Sequence, residues 1–252
     1  MSEVRVIARL DIKSENVIKG IHLEGLRIVG RPGELAHKYY TEGVDELLFM
    51  DVVASLYERN SILPIVQSAA QDIFVPMTVG GGIRTLGDIK AVLRSGADKV
   101  AINTAATNRP EFLTEAAQTF GSQCIVLSVE TIKRGPGHWE VMTDNGREKT
   151  GRDVLEWARE AEERGAGEIL VTSVDAEGTE AGFDLDLVKA VTAATTVPVI
   201  ACGGAGTPAH FVDLIRATGV RAFACASILH YRKCDIATIK QTLREEGCSV
   251  RP

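Results

Sequence analysis

The chain has 252 residues, 45% hydrophobic and 25% charged, with a formal net charge of −6 at pH 7. That is enough apolar material for a large core in a single domain over 1–252, and the acidic balance offers no basic field to hold nucleic acid or a membrane surface. The five cysteines form no C-x-x-C pair or His/Cys cluster at zinc spacing, and there is neither a leader-type segment nor an apolar run of about 18 residues, so reduced thiols, a cytoplasmic protein and no metal or other cofactor are expected.

Short β-rich runs alternate with amphipathic stretches along the whole chain. In order, the patterning predicts a strand over 4–10, a helix over 33–42, a strand over 46–50 and a helix over 61–71. A strand over 75–79, a helix over 86–95, a strand over 99–103 and a helix over 110–120 complete the first half. The second half reads as strand 123–129, helix 152–164, strand 168–173, helix 184–195, strand 197–201, helix 208–218, strand 221–226 and helix 236–246. The stretch 139–149, with its Asp144-Asn145-Gly146 turn, reads as a β-hairpin in the connection after the fifth strand. Eight β/α units predict an α/β fold, a closed (β/α)8 TIM barrel, in preference to an open doubly wound sheet, because closure leaves no strand edge unpaired.

An internal two-fold half-barrel repeat accompanies the pattern. Pro76-Met77-Thr78-Val79-Gly80-Gly81-Gly82 recurs as Pro198-Val199-Ile200-Ala201-Cys202-Gly203-Gly204, and at the same offset 34–46 answers 156–168. The interval is too long for a solenoid unit and fits a duplicated half-domain. Asp11 is answered, at nearly that offset, by Glu130.

Such barrels work at the C-terminal ends of their strands, which here carry Asp11, Asp51, Gly81, Gly82, Asn103, Thr104, Glu130, Asp175, Gly203, Gly204, Ala226 and Ser227. Glycine after a strand lets backbone N–H groups approach an anion, and the next helix adds its unsatisfied donors. Gly81-Gly82 with Asn103-Thr104, and Gly203-Gly204 with Ala226-Ser227, therefore read as two phosphate clamps for a small substrate phosphorylated at both ends. A glycine pair also serves any tight βα turn, but its double occurrence favours the clamp. Asp11 and Glu130 close the first and fifth strands, opposite each other across an eight-stranded barrel, and read as a general acid/base pair. Either alone could equally be an ion-pair partner for Lys13, Lys19 or Lys133. Lys19, Asp51 and Asp175 are candidate substrate contacts.

Arg5, Glu46, Lys99 and Glu168 lie at the opposite strand ends, where four charges at the mouth of a core must pair with one another. The five histidines share no ligand spacing and none sits in a nucleophile motif.

These residues resemble the HisF family, the cyclase subunits of imidazole glycerol phosphate synthase. The resemblance rests on Leu10-Asp11-Ile12-Lys13, Val17-Ile18-Lys19-Gly20, Thr78-Val79-Gly80-Gly81-Gly82-Ile83-Arg84, Gly96-Ala97-Asp98-Lys99-Val100, Ile102-Asn103-Thr104-Ala105-Ala106 and Val199-Ile200-Ala201-Cys202-Gly203-Gly204-Ala205-Gly206. It implies two phosphate sites, two catalytic carboxylates and a HisH-type glutaminase docked beneath the barrel as a heterodimer. Under it the Arg5, Glu46, Lys99 and Glu168 quartet becomes an ammonia gate, and Asp98 falls at the partner interface.

The chain departs from that pattern at Glu130, where the family carries aspartate, and at Cys202, where a serine is usual. The loops 21–27 and 52–60 resemble instead a paralogous branch associated with sugar amidation in surface-polysaccharide synthesis, the reading favoured on sequence alone. A genuine histidine-pathway cyclase and a non-catalytic scaffold for the glutaminase are the alternatives.

Overall fold

A computed structural model of the chain describes residues 3–54 and 62–251. In chain order its strands are β1 (Arg5–Lys13), β2 (Asn16–Ile21), β3 (Glu24–Gly30), β4 (Glu46–Asp51), β5 (Met77–Gly80), β6 (Lys99–Ile102), β7 (Ile125–Gly135), β8 (His138–Thr143), β9 (Glu148–Asp153), β10 (Glu168–Ser173), β11 (Val199–Cys202) and β12 (Ala222–Cys225). Eight of them, β1, β4, β5, β6, β7, β10, β11 and β12, pair in parallel in that order. β12 returns to β1, with Arg5 opposite Ala222, and closes a (β/α)8 barrel.

Strand alternation sorts the core into two shells. Ile7, Leu48, Ala101, Val126, Leu170 and Ile200 point inward and pack as one buried cluster, while their neighbours, such as Val6, Leu47, Val100 and Val171, join the larger cluster under the helices. Four of the described helices start where the sequence supplies a side-chain cap. Thr85 and Asp88 form a reciprocal capping box, and Asp153, Asp184 and Asp235 each accept backbone N–H groups of the first turn that follows. The helix predicted over 61–71 is found as Leu63–Asp72, and position 61 lies outside the described residues. No helix among the described residues is long and apolar enough to cross a membrane.

Two strands overshoot the barrel. β7 continues past Glu130 and pairs antiparallel with β8, which pairs with β9 around the predicted Asp144-Asn145-Gly146 turn. β1 likewise runs on to Lys13 and pairs with β2, which pairs with β3. This first hairpin corrects the reading of 21–27 as loop. Its turn is made by His22 and Leu23 at φ 52° and 63°, positive values for residues that rarely adopt them, so the usual Asn-Gly signal is absent. Tertiary contacts hold it: the His22 N–H donates to the Glu177 carbonyl at 2.8 Å, and the His22 Nδ1 lies 2.9 Å from the Val174 carbonyl oxygen.

The last helix, Ile236–Glu245, is tied to the barrel by a buried ion pair. The Lys240 Nζ donates to Asp45 at 2.8 Å, and the other Asp45 oxygen accepts the Val6 N–H at 2.7 Å. Asp45→Ala strands a buried ammonium and a buried amide together. The expected cost is about 3–5 kcal/mol in chemical denaturation; a loss below about 1 kcal/mol would contradict this account.

Candidate active site

The strand overshoot places Asp11 and Glu130 within their strands, Asp11 one residue before the β1–β2 pairing and Glu130 at the first pair of the β7–β8 hairpin, opposite Met142, and both are buried. Their surroundings differ. Asp11 Oδ1 accepts the Arg9 Nε at 2.8 Å, and the Lys19 ammonium stands 3.9 Å from Oδ2. Glu130 Oε2 instead accepts neutral donors, the Gly146 N–H at 2.8 Å and the Asn103 amide at 3.2 Å. Burial pushes both carboxyls upward, but Arg9 and then Lys19 override it at Asp11 and hold that group below the usual carboxylate range. At Glu130 burial wins over the pull of Arg9 and the Gly146 N–H, and the carboxyl is raised to about 7. One acid is therefore kept ionised and the other protonated near neutrality, the division that acid/base chemistry needs.

The two glycine turns are not equivalent. Gly81 and Gly82 take φ of 93° and 69°, and a Cβ on Gly81 would lie 2.1 Å from the Asp51 carbonyl oxygen, so the turn itself demands glycine. Beside them opens a cleft of about 200 Å³ lined by Asp51, Asn103, Thr104 and Glu130 among others, which joins the first predicted clamp to the acid pair. The Thr104 hydroxyl accepts the Asp144 N–H at 3.2 Å, docking the β8–β9 turn at its rim. Gly203 and Gly204, at φ of 98° and 102°, are as constrained: a Cβ on Gly204 would lie 1.9 Å from the Gly182 carbonyl oxygen. Here, with Ala226 and Ser227, the cavity is only about 10 Å³, and Glu177 and Cys202 line it.

Among the candidate contacts, Lys19 is buried and ion-paired to Glu177 as well as facing Asp11, and burial lowers its pKa. Asp51 lines the open cleft while its Oδ1 accepts the Val53 N–H at 3.1 Å. Asp175 turns outward and accepts the Lys133 N–H at 2.7 Å, anchoring its loop to β7. The acid that turns inward from that loop is Glu177, which the reading of strand ends missed. Arg9 was missed too. The period-two face shared by Arg5, Ile7, Arg9 and Asp11 is the signal that finds it.

At the other end the predicted quartet closes into a ring. Arg5 donates to Glu46 at 2.7 Å and to Glu168, and Lys99 donates to the same two carboxylates at 2.9 Å each. Despite burial, the pairing lowers the Glu46 pKa and raises those of Arg5 and Lys99. Asp98 is exposed beside this ring, its Oδ2 accepting the Met77 N–H at 2.8 Å. No group of three or more His, Cys, Asp or Glu among the described residues could hold a metal ion.

The model of the family described as "Histidine biosynthesis protein" matches residues 5–235. A Legionella pneumophila protein named imidazole glycerol phosphate synthase subunit HisF is 60% identical over 84% of the chain and 100% of its own length. Proteins of the same name from Mycobacteroides abscessus and Mycobacterium tuberculosis are 49% and 50% identical over 98% of the chain and 98% and 95% of theirs.

The Glu130 environment makes a pH prediction. Because its folded pKa is raised to about 7, the folded state holds the proton that the unfolded chain has already released, so this burial costs stability progressively from the usual glutamate range up to pH 7 and uniformly above it. Glu130→Gln removes the titration. Its stability relative to the parent should rise by roughly 3 kcal/mol between about pH 4 and pH 8 in chemical denaturation; a pH-independent difference would contradict the assignment.

Proposed function

The chain belongs to the HisF family of histidine biosynthesis proteins, and we propose that it is the cyclase subunit of imidazole glycerol phosphate synthase. In that reading it condenses N′-[(5′-phosphoribulosyl)formimino]-AICAR-ribotide with ammonia to give imidazole glycerol phosphate, AICAR and water. The observation that carries the reading is the split pair Asp11 and Glu130 at one end of a barrel whose other end is closed by four paired charges. Ammonia adding to a carbonyl carbon must lose a proton, and the departing hydroxyl and amine leave more readily once protonated. Asp11, ionised, is the base; Glu130, protonated near neutrality, is the acid.

Gly81, Gly82, Asn103 and Thr104 would hold one phosphate in the open cleft. Gly203, Gly204, Ala226 and Ser227 would hold the other, which requires their cavity to widen and Glu177 to withdraw. A HisH-type glutaminase would dock around Asp98 and deliver ammonia through the Arg5, Glu46, Lys99 and Glu168 ring. The word "subunit" in the relatives' names supports a partner. Those names favour the histidine pathway over the sugar-amidation branch suggested by the loops 21–27 and 52–60, of which 55–60 lie outside the described residues. Glu130 is one methylene longer than aspartate, but two donors fix its carboxylate in place.

The nucleotide substrate supplied with excess ammonium salt and no glutaminase should be consumed, and Asp11→Asn should lower the rate about 10²–10⁴-fold. Absence of turnover would overturn the reading, and a gain in Glu130→Asp alone would point to the sugar-amidation branch. In the complex with glutaminase, Lys99→Ala should reduce glutamine-dependent turnover while leaving ammonia-dependent turnover within about twofold; equal loss of both would reject the gate.

A further inference from the structure

Arg9 is among the most deeply buried side chains in the protein, 1% exposed, and it lies inside the barrel. Its Nε donates to Asp11 at 2.8 Å on its own strand, while Nη1 reaches the Thr172 hydroxyl on β10 at 3.1 Å and the Cys202 sulfur on β11 at 3.4 Å. The guanidinium thus stretches from the first barrel strand to the sixth and seventh, between the apolar interior and the acid pair. Its Nη2 is buried with no hydrogen-bond partner among the described residues. A cation in this position is costly unless it serves a fixed anion, and a rigid planar fork suits that service better than a flexible ammonium.

We propose that Arg9 is the positioning residue of the acid–base pair, forming the floor of the reaction chamber and fixing Asp11, in place and in charge, as the base. The assignment of Asp11 as base rests on the cyclase reading.

Other groups face Asp11, and none replaces Arg9. Lys19 on β2 is farther away and is shared with Glu177. His230, on the short helix Ser227–His230, bonds to the Tyr39 hydroxyl at 2.7 Å and is held uncharged at neutral pH, its pKa lowered to about 4 by burial. Cys202 contacts the guanidinium itself, and Glu130, across the barrel, is supported by neutral donors. Removing Arg9 therefore acts chiefly on Asp11.

The test is a carbon-13 NMR titration of the side-chain carboxyls in the full chain, without substrate, for the parent and for Arg9→Met, which keeps an unbranched apolar stem and removes the charge. The Asp11 midpoint should rise by roughly 1–3 pH units, with a smaller rise at Glu130. An unmoved Asp11 midpoint in a folded variant would overturn the proposal. Arg9→Lys covers the case of a methionine variant that does not fold. It keeps the charge and loses the fork, so kcat with ammonia should fall about tenfold or more with KM within about twofold, and parental kcat would overturn the positioning role. Absence of turnover in the parent, with the NMR shift present, would sink the cyclase reading and with it the role of Asp11 as base, while leaving the hold of Arg9 on the Asp11 carboxylate established.

Discussion

Closing eight parallel strands on themselves sends every second side chain into one shared interior, and a charge placed there stands only if a partner is built beside it. Both ends of this barrel meet that constraint, by different means. At the base, two cations and two carboxylates bond each to each, so the ring is neutral and self-contained. At the top, Arg9, Lys19, Asp11 and Glu177 form a chain of pairs in which Glu130 has no direct ionic partner among the described residues. Burial therefore prevails at Glu130 and raises its carboxyl to about 7, while Arg9 and Lys19 hold Asp11 ionised.

Reactivity follows from how the strands reach this level. β1 and β7 run beyond the barrel rim because each is extended by an antiparallel hairpin, and the acids stand where barrel pairing gives way to hairpin pairing. The β8–β9 turn presents the Gly146 N–H to Glu130, and β2 presents Lys19 over Asp11. Each hairpin thus adds a group to its own strand's carboxylate, a neutral donor on one side and a cation that seconds Arg9 on the other. The two glycine turns show a comparable asymmetry, one open to the acid pair and one filled by the loop that carries Glu177.

Much of this was legible in the sequence. The alternation of runs showed the eight strands and the closed barrel; the strand starts showed all four members of the basal ring; and the strand ends showed Asp11, Glu130 and the glycine turns. What escaped has a common cause. Arg9 and Glu177 are neither at strand ends nor in a motif, and their importance comes from contacts made across the barrel, with Thr172 and Cys202 in one case and Lys19 in the other. The first hairpin escaped because its turn residues, His22 and Leu23, carry no local preference for the conformation they hold. Asp175 and Glu177 lie two apart in one loop, and only the fold decides which of them turns inward.

The central claim is that Asp11 and Glu130 work as base and acid in one chamber, and the pH dependence of kcat/KM for the nucleotide substrate, expressed per free ammonia, tests it most directly. The account predicts a rate that falls about tenfold per pH unit once pH exceeds about 7, as Glu130 loses its proton. A rate that stays flat to about pH 9, where that proton is gone, would contradict it.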